Sequence, residues 1–164
     1  MRRQQGFSYL VALFLVAILA VLTTRALENS RTAELREREA ELLYVGQAYQ
    51  AAIRAYYRNG SGSVRYPPTL DVLLLDQRPL RPQRPLRRLY RDPIRATQEW
   101  GLVPAPSGGI MGVYSLSMQA PQKIDGFPTE LASFKGAKHY RDWQFIYQPD
   151  TGPDAPTEPE KSRK

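Results

Sequence analysis

Few residues in this chain of 164 are of a type and spacing that does chemistry. Histidine occurs once, at His139, with Lys138 before it and Arg141 behind it. A general acid or base needs a reacting partner within hydrogen-bond reach, and no nucleophile or ligand pattern surrounds this position. Gly108-Gly109 lacks the Lys-Ser/Thr that a phosphate-cradling loop requires and suits a hairpin turn. Cysteine is absent, which removes thiolate catalysis and any disulfide framework. The chain is therefore expected not to be an enzyme and to use no cofactor.

What does recur is arginine. Arg78-Pro79-Leu80, Arg81-Pro82-Gln83, Arg84-Pro85-Leu86 and Arg87-Arg88-Leu89 repeat every three residues, the turn length of polyproline II. On such a helix Arg78, Arg81, Arg84, Arg87 and Arg88 would share a side and recur about every 9 Å. This basic rail could contact an acidic neighbour or a lipid phosphate, or serve as a stiff solvated spacer. The whole chain leans the same way, with 23 Lys+Arg against 16 Asp+Glu for a net charge of +7, a surplus that favours anionic partners without choosing among them.

Residues 7–24 carry no charge and read FSYLVALFLVAILAVLTT, close to the ~20 residues a bilayer-spanning helix needs. Arg2 and Arg3 precede the run and Arg25 follows it, so the positive-inside tendency keeps the amino terminus cytoplasmic. A cleaved secretory signal has a shorter apolar region ending in a small-x-small site, whereas this run ends Leu22-Thr23-Thr24-Arg25 and flows on as a helix. Leu35, Leu42, Val45, Tyr49, Ile53 and Tyr56 continue at helical spacing, laying an apolar stripe along one side. Glu34, Glu37, Arg38 and Glu41 lie mainly off it. Arg58 complements the helix dipole, and Asn59-Gly60 is a stop signal.

The junction Gly6-Phe7-Ser8-Tyr9-Leu10, behind a short basic leader and ahead of an apolar helix, resembles the class III signal of type IV pilins and of the pseudopilins of type II secretion systems. The resemblance implies that a prepilin peptidase cuts between Gly6 and Phe7 and methylates Phe7, leaving the apolar helix in place. Tyr66-Pro67-Pro68-Thr69-Leu70 looks like the segment after the helix in major pseudopilins, and Arg91-Asp92-Pro93 like their Asp-Pro turn. Residues 136–143 are similar in character to the segment ahead of the family's final strand. The family usually has glutamate at the fifth position of the processed chain, where it pairs with a neighbour's terminal amine; here that position is Val11. Tip subunits of the family can lack this glutamate, so Val11 fits either a minor subunit or a divergent system. Major pseudopilins also carry calcium in a C-terminal loop. Asp125, Asp142 and Asp150 are the candidate donors of that kind, although the Asp-rich spacing of a dedicated calcium loop is absent.

The expected fold is α+β and pilin-like: a long N-terminal helix, membrane-spanning in its inner half and amphipathic in its outer half, packed on a small three-stranded antiparallel sheet. Thr69 should cap a short helix over residues 70–75. Strands are expected over residues 99–103, 110–117 and 143–147, the first two forming a wide hairpin. Tyr140, Trp143, Phe145 and Tyr147 are assigned to the core. The expected divisions are a cytoplasmic leader (1–6), a transmembrane helix (7–24), a periplasmic helix (25–58), an α+β domain (59–147) and a disordered tail (148–164). The expected placement is single-pass in a bacterial inner membrane with the C-terminal domain periplasmic.

The function this implies is a structural subunit that joins or caps a periplasmic pseudopilus for protein secretion. Its partners would be other pseudopilins through the N-terminal helix, the prepilin peptidase, the inner-membrane assembly platform and the membrane itself. Neither nucleic acid nor a small-molecule substrate is expected. The alternatives are a minor pilin of a surface or DNA-uptake pilus and a membrane-anchored binding module that does not polymerise.

Overall fold

The computed structural model describes residues 5–60 and 65–149, and within its first helix the side chains of residues 9–21 and 32–58. The leader residues 1–4, the segment 61–64 and the tail from Asp150 lie outside the described residues, as do the expectations that fall on them.

One α-helix, α1 (Gln5–Arg58), takes up a third of the chain. It ends where the sequence signals a stop, with the Asn59 amide donating to the Ala55 carbonyl at 3.0 Å. Leu42, Val45, Tyr49, Ile53 and Tyr56 of the apolar stripe are all buried, and the opposite side carries the Arg38–Glu34 ion pair at 2.5 Å. Three short strands follow: β1 (Gly101–Pro104), β2 (Ile110–Tyr114) and β3 (Phe145–Ile146). They form one antiparallel sheet in the order β1-β2-β3, so the architecture is α+β as expected.

The expectation that fails is the membrane anchor. Among the described residues no helix is long and apolar enough to cross a membrane. The single-pass inner-membrane placement, with cytoplasmic and periplasmic ends, is thereby overturned.

The chain divides into two compact units, each drawing on part of α1. The first comprises Met1–Val45, Tyr90–Glu99 and Ser115–Trp143. Its described core is aromatic: Trp143 stacks parallel to Phe134 with centroids 5.6 Å apart and meets the edges of Phe127 and Tyr140. Two 3-10 turns, Thr129–Phe134 and Tyr140–Asp142, bring these rings together. The second of them makes the expected strand 143–147 start late, at Phe145, because the Trp143 amide donates to the Tyr140 carbonyl at 3.1 Å and is unavailable to a sheet. Buried Asp92 organises the Asp-Pro turn. Its own amide donates to the Thr97 carbonyl, and its carboxylate takes the Ile94 amide and the Ser115 hydroxyl, the latter at 2.6 Å. Ser115 is thus held by a side chain rather than a strand, and β2 stops at Tyr114 instead of Ser117.

The second unit comprises Gly46–Leu89, Trp100–Tyr114 and Gln144–Lys164, with the sheet against the last part of α1. Gly46 makes that approach close: an added Cβ would fall inside the ring of buried Phe145. Gln50 reaches over to donate to the Ile146 carbonyl at 2.6 Å. Tyr49 meets Trp100 edge-on at 5.3 Å. The expected helix over 70–75 is a single 3-10 turn, Asp71–Leu73, and its N-cap is Leu70 rather than Thr69, with no side-chain cap. Buried Leu73 explains this brevity, since its carbonyl accepts the Leu86 amide and ties the turn to the returning chain.

Candidate functional site

The structure scatters several of the sequence-derived candidates. Gly6 and Phe7 lie within α1, their side chains outside the described residues. Val11 is one of an uninterrupted series of exposed side chains over residues 9–21. Asp125 pairs with Lys135 at 2.9 Å, which above all holds its carboxyl below the usual range, and accepts from the Gly126 amide at 2.7 Å, which adds to the effect. Asp142 takes the amides of Lys138 and His139. His139 Nδ1 stands 3.5 Å from the same carboxylate. Asp150 is outside the described residues. Among the described residues no group of acids or histidines is placed to hold a metal ion.

The arginine repeat does not run as one straight rod. Asp76 and Gln83 exchange backbone hydrogen bonds at 2.8 and 2.9 Å, so the chain reverses within the repeat. Arg78 turns inward, Arg84 donates to the Leu74 carbonyl at 3.3 Å, and Arg81, Arg87 and Arg88 stay exposed.

Arg78 is the centre of a built site in the second unit. Its guanidinium lies 3.3 Å above the centroid of Tyr56, a cation–π stack. Its Nε and Nη2 grip the two oxygens of Asp76 at 2.9 and 2.7 Å, and Nη2 also donates to the Tyr56 carbonyl at 2.6 Å. Nη1 has no partner among the described residues, so two donors remain. Asp76 is only 2% exposed, and the fork geometry is what lets a carboxylate be buried there. Beside this pair opens a cleft of about 360 Å³, walled by Tyr56, Tyr66 and Pro68 and by the turn Ser107-Gly108-Gly109, with Arg65 on its lining. Gly109 has φ +85°, and an added Cβ would strike the Tyr66 carbonyl and Cβ, so only glycine lets this turn form a wall here. Burial, reinforced by neighbouring Tyr57 and Tyr147, pushes the Tyr66 hydroxyl above its ordinary pKa; it remains a donor, to the Tyr147 carbonyl at 3.1 Å.

Arg78's hydrogen bond holds the Asp76 carboxyl below its ordinary 3.8 despite the opposing effect of burial. A carboxyl depressed in the folded state stabilises above its unfolded pKa, and that contribution is lost as pH falls through the folded value. Wild-type protein is therefore expected to lose more stability than Asp76→Asn as the pH drops below about 4. Urea midpoints at a series of pH values check this; parallel acid limbs would refute it.

A second polar site lies in the first unit. Glu39 is 4% exposed, and its Oε1 accepts the Gln122 and Lys123 amides at 2.6 and 3.0 Å and the Tyr140 hydroxyl at 3.2 Å. Burial, then the Glu39 charge and hydrogen bond, push the Tyr140 phenol far above its ordinary range, so it stays a donor. A cleft of about 430 Å³ beside it is lined by Arg36, Glu39, Ala40, Leu43, Gln122 and Lys123. The sequence reading missed Glu39. The available signal was its position four after Leu35 and three before Leu42, on the apolar stripe rather than off it.

No protein-family model, curated protein or solved structure matches the chain. The pilin-like resemblance consequently rests on the residues that carry it.

Proposed function

We propose that this protein is a structural subunit that assembles with copies of itself through α1, in the manner of the pseudopilins of type II secretion systems, joining or capping a filament that serves protein secretion. The observation that carries the reading is the exposure of large apolar side chains over residues 9–21, from 41% at Val11 and Ile18 to 68% at Phe14. Leu10, Leu13, Phe14, Leu15 and Val16 point to every side of the helix at 100° per residue, leaving no polar face. A helix apolar all round must be covered all round, which a single partner cannot do. Each leucine or phenylalanine fully covered contributes ~1.5–3 kcal/mol, so several neighbouring helices cohere without any ion pair. Val11 fits this arrangement, since it adds apolar surface where a carboxylate would need a partner. The Gly6-Phe7 junction supports the same reading, because processing there would keep the apolar segment at the front of the subunit.

Because the chain has no cysteine, a Leu10→Cys/Ile18→Cys variant reports helix–helix contact unambiguously. Oxidation in expressing cells should yield a ladder of dimers, trimers and larger species, and intact mass should show loss of residues 1–6 with methylation at Phe7. Monomer alone, or dimer alone, would overturn assembly as a filament. An unprocessed amino terminus would remove the pilin-like route while leaving self-association intact.

A further inference from the structure

We propose that the cleft between Tyr56, Tyr66 and Pro68 is a docking site for an acidic, proline-rich peptide, and that its occupant is this chain's own segment 153–160. The walls supply the chemistry. Clefts lined by aromatic and proline side chains take polyproline II ligands, which present a preformed apolar edge every third residue. Arg65 has no partner among the described residues, and Arg78 keeps Nη1 unused beyond its grip on Asp76, so the cleft still carries excess positive charge. An acidic peptide meets both requirements together.

The tail has this character. Pro153, Pro156 and Pro159 recur at intervals of three, interleaved with Asp154, Glu158 and Glu160, and no Lys or Arg occurs from Asp150 to Glu160. The described chain also delivers it to the right place. Tyr147 leaves β3 with its carbonyl on the Tyr66 hydroxyl, and its ring meets Tyr57, which in turn touches Tyr66 at 4.7 Å. Tyr66 is itself a cleft wall. From Tyr147 to Pro153 an extended chain reaches up to about 20 Å, and so short a tether gives an effective concentration in the millimolar range. A free peptide of the same sequence would have to exceed that to compete. This inference stands apart from the assembly proposed for α1, since it uses no residue of the apolar segment 9–21 that carries that assembly.

The test uses the full-length chain, kept monomeric in detergent that covers residues 9–21, with a nitroxide at Ala155→Cys, the only thiol present. The amide signals of Gly108 and Gly109 are expected to broaden relative to the same sample with the label reduced. Their intensity should return in Arg65→Glu and in the triple variant Pro153→Ala/Pro156→Ala/Pro159→Ala, neither of which alters a buried side chain of the described fold. An isotope-labelled chain without the nitroxide, mixed with an unlabelled tagged chain, should stay sharp. Broadening in that mixture would assign the occupant to a second copy and overturn docking in cis. Undisturbed glycine signals in the tagged chain would overturn the site. Broadening that persists in both variants would mean proximity without recognition, which defeats it equally.

Discussion

Replacing Trp143 with alanine is expected to lower the stability of the fold by about 3–5 kcal/mol, the range for deleting a large aromatic from a packed core. The side chain is fully buried, and Phe127, Phe134 and Tyr140 all rest on it within 5.6 Å between centroids. Phe134 and Tyr140 sit in two separate 3-10 turns, so neither can collapse into the vacated space without disturbing its turn's backbone hydrogen bonds. Trp143→Phe separates volume from polarity. The indole Nε1 is buried with no hydrogen-bond partner among the described residues, so the phenylalanine variant removes an unsatisfied donor along with part of the ring. Its cost should be clearly below that of alanine. Urea unfolding can be followed through the remaining Trp100. A loss below about 1 kcal/mol for Trp143→Ala would mean the aromatic cluster is not a cooperative core.

The second large effect is expected at Glu39. Alanine there strips the Gln122 and Lys123 amides and the Tyr140 hydroxyl of a shared acceptor, and hydrogen bonds to a charged group contribute ~1.5–3 kcal/mol each. The adjoining cleft admits water to part of the site, which offsets some of the loss, so a net cost of about 3 kcal/mol is expected. Glu39→Gln keeps a carbonyl oxygen for the two amides and should recover most of it. In a double-mutant cycle with Tyr140→Phe, the coupling should be about 1 kcal/mol, because only the phenol bond is common to both changes. Additive effects would place Tyr140 outside the network.

These two residues also mark how far the amino-acid order can be read. Trp143 was legible as core from its aromatic neighbours, although its backbone sits in a 3-10 turn and not in the strand that alternation suggested. Alternation records which side chains face inward; it does not record that the Trp143 amide is already taken by the Tyr140 carbonyl. At Glu39 a charge on the apolar stripe was visible, but its meaning depended on amides 83 and 84 positions away. The arginine repeat failed differently. Three-residue spacing describes a rod only while no longer-range bond competes, and the Asp76–Gln83 bridge does compete.

Taken by itself, the order of residues determined what depends on near neighbours. The span and stop of α1, its buried stripe, the strand segments and the Asp92 turn follow from spacings of a few residues, because helix faces, pleats and turns are set by local backbone geometry. The tertiary structure alone decided which charges are buried and which remain available. Asp76 and Arg78 are two positions apart in the sequence, yet their pairing over Tyr56 and the cleft beside Tyr66 and Gly109 need segments from Tyr56 to Gly109 brought together. The physical reason is that burying a charge is tolerable only when distant groups converge to satisfy it, and convergence of that kind leaves no periodic trace in the chain.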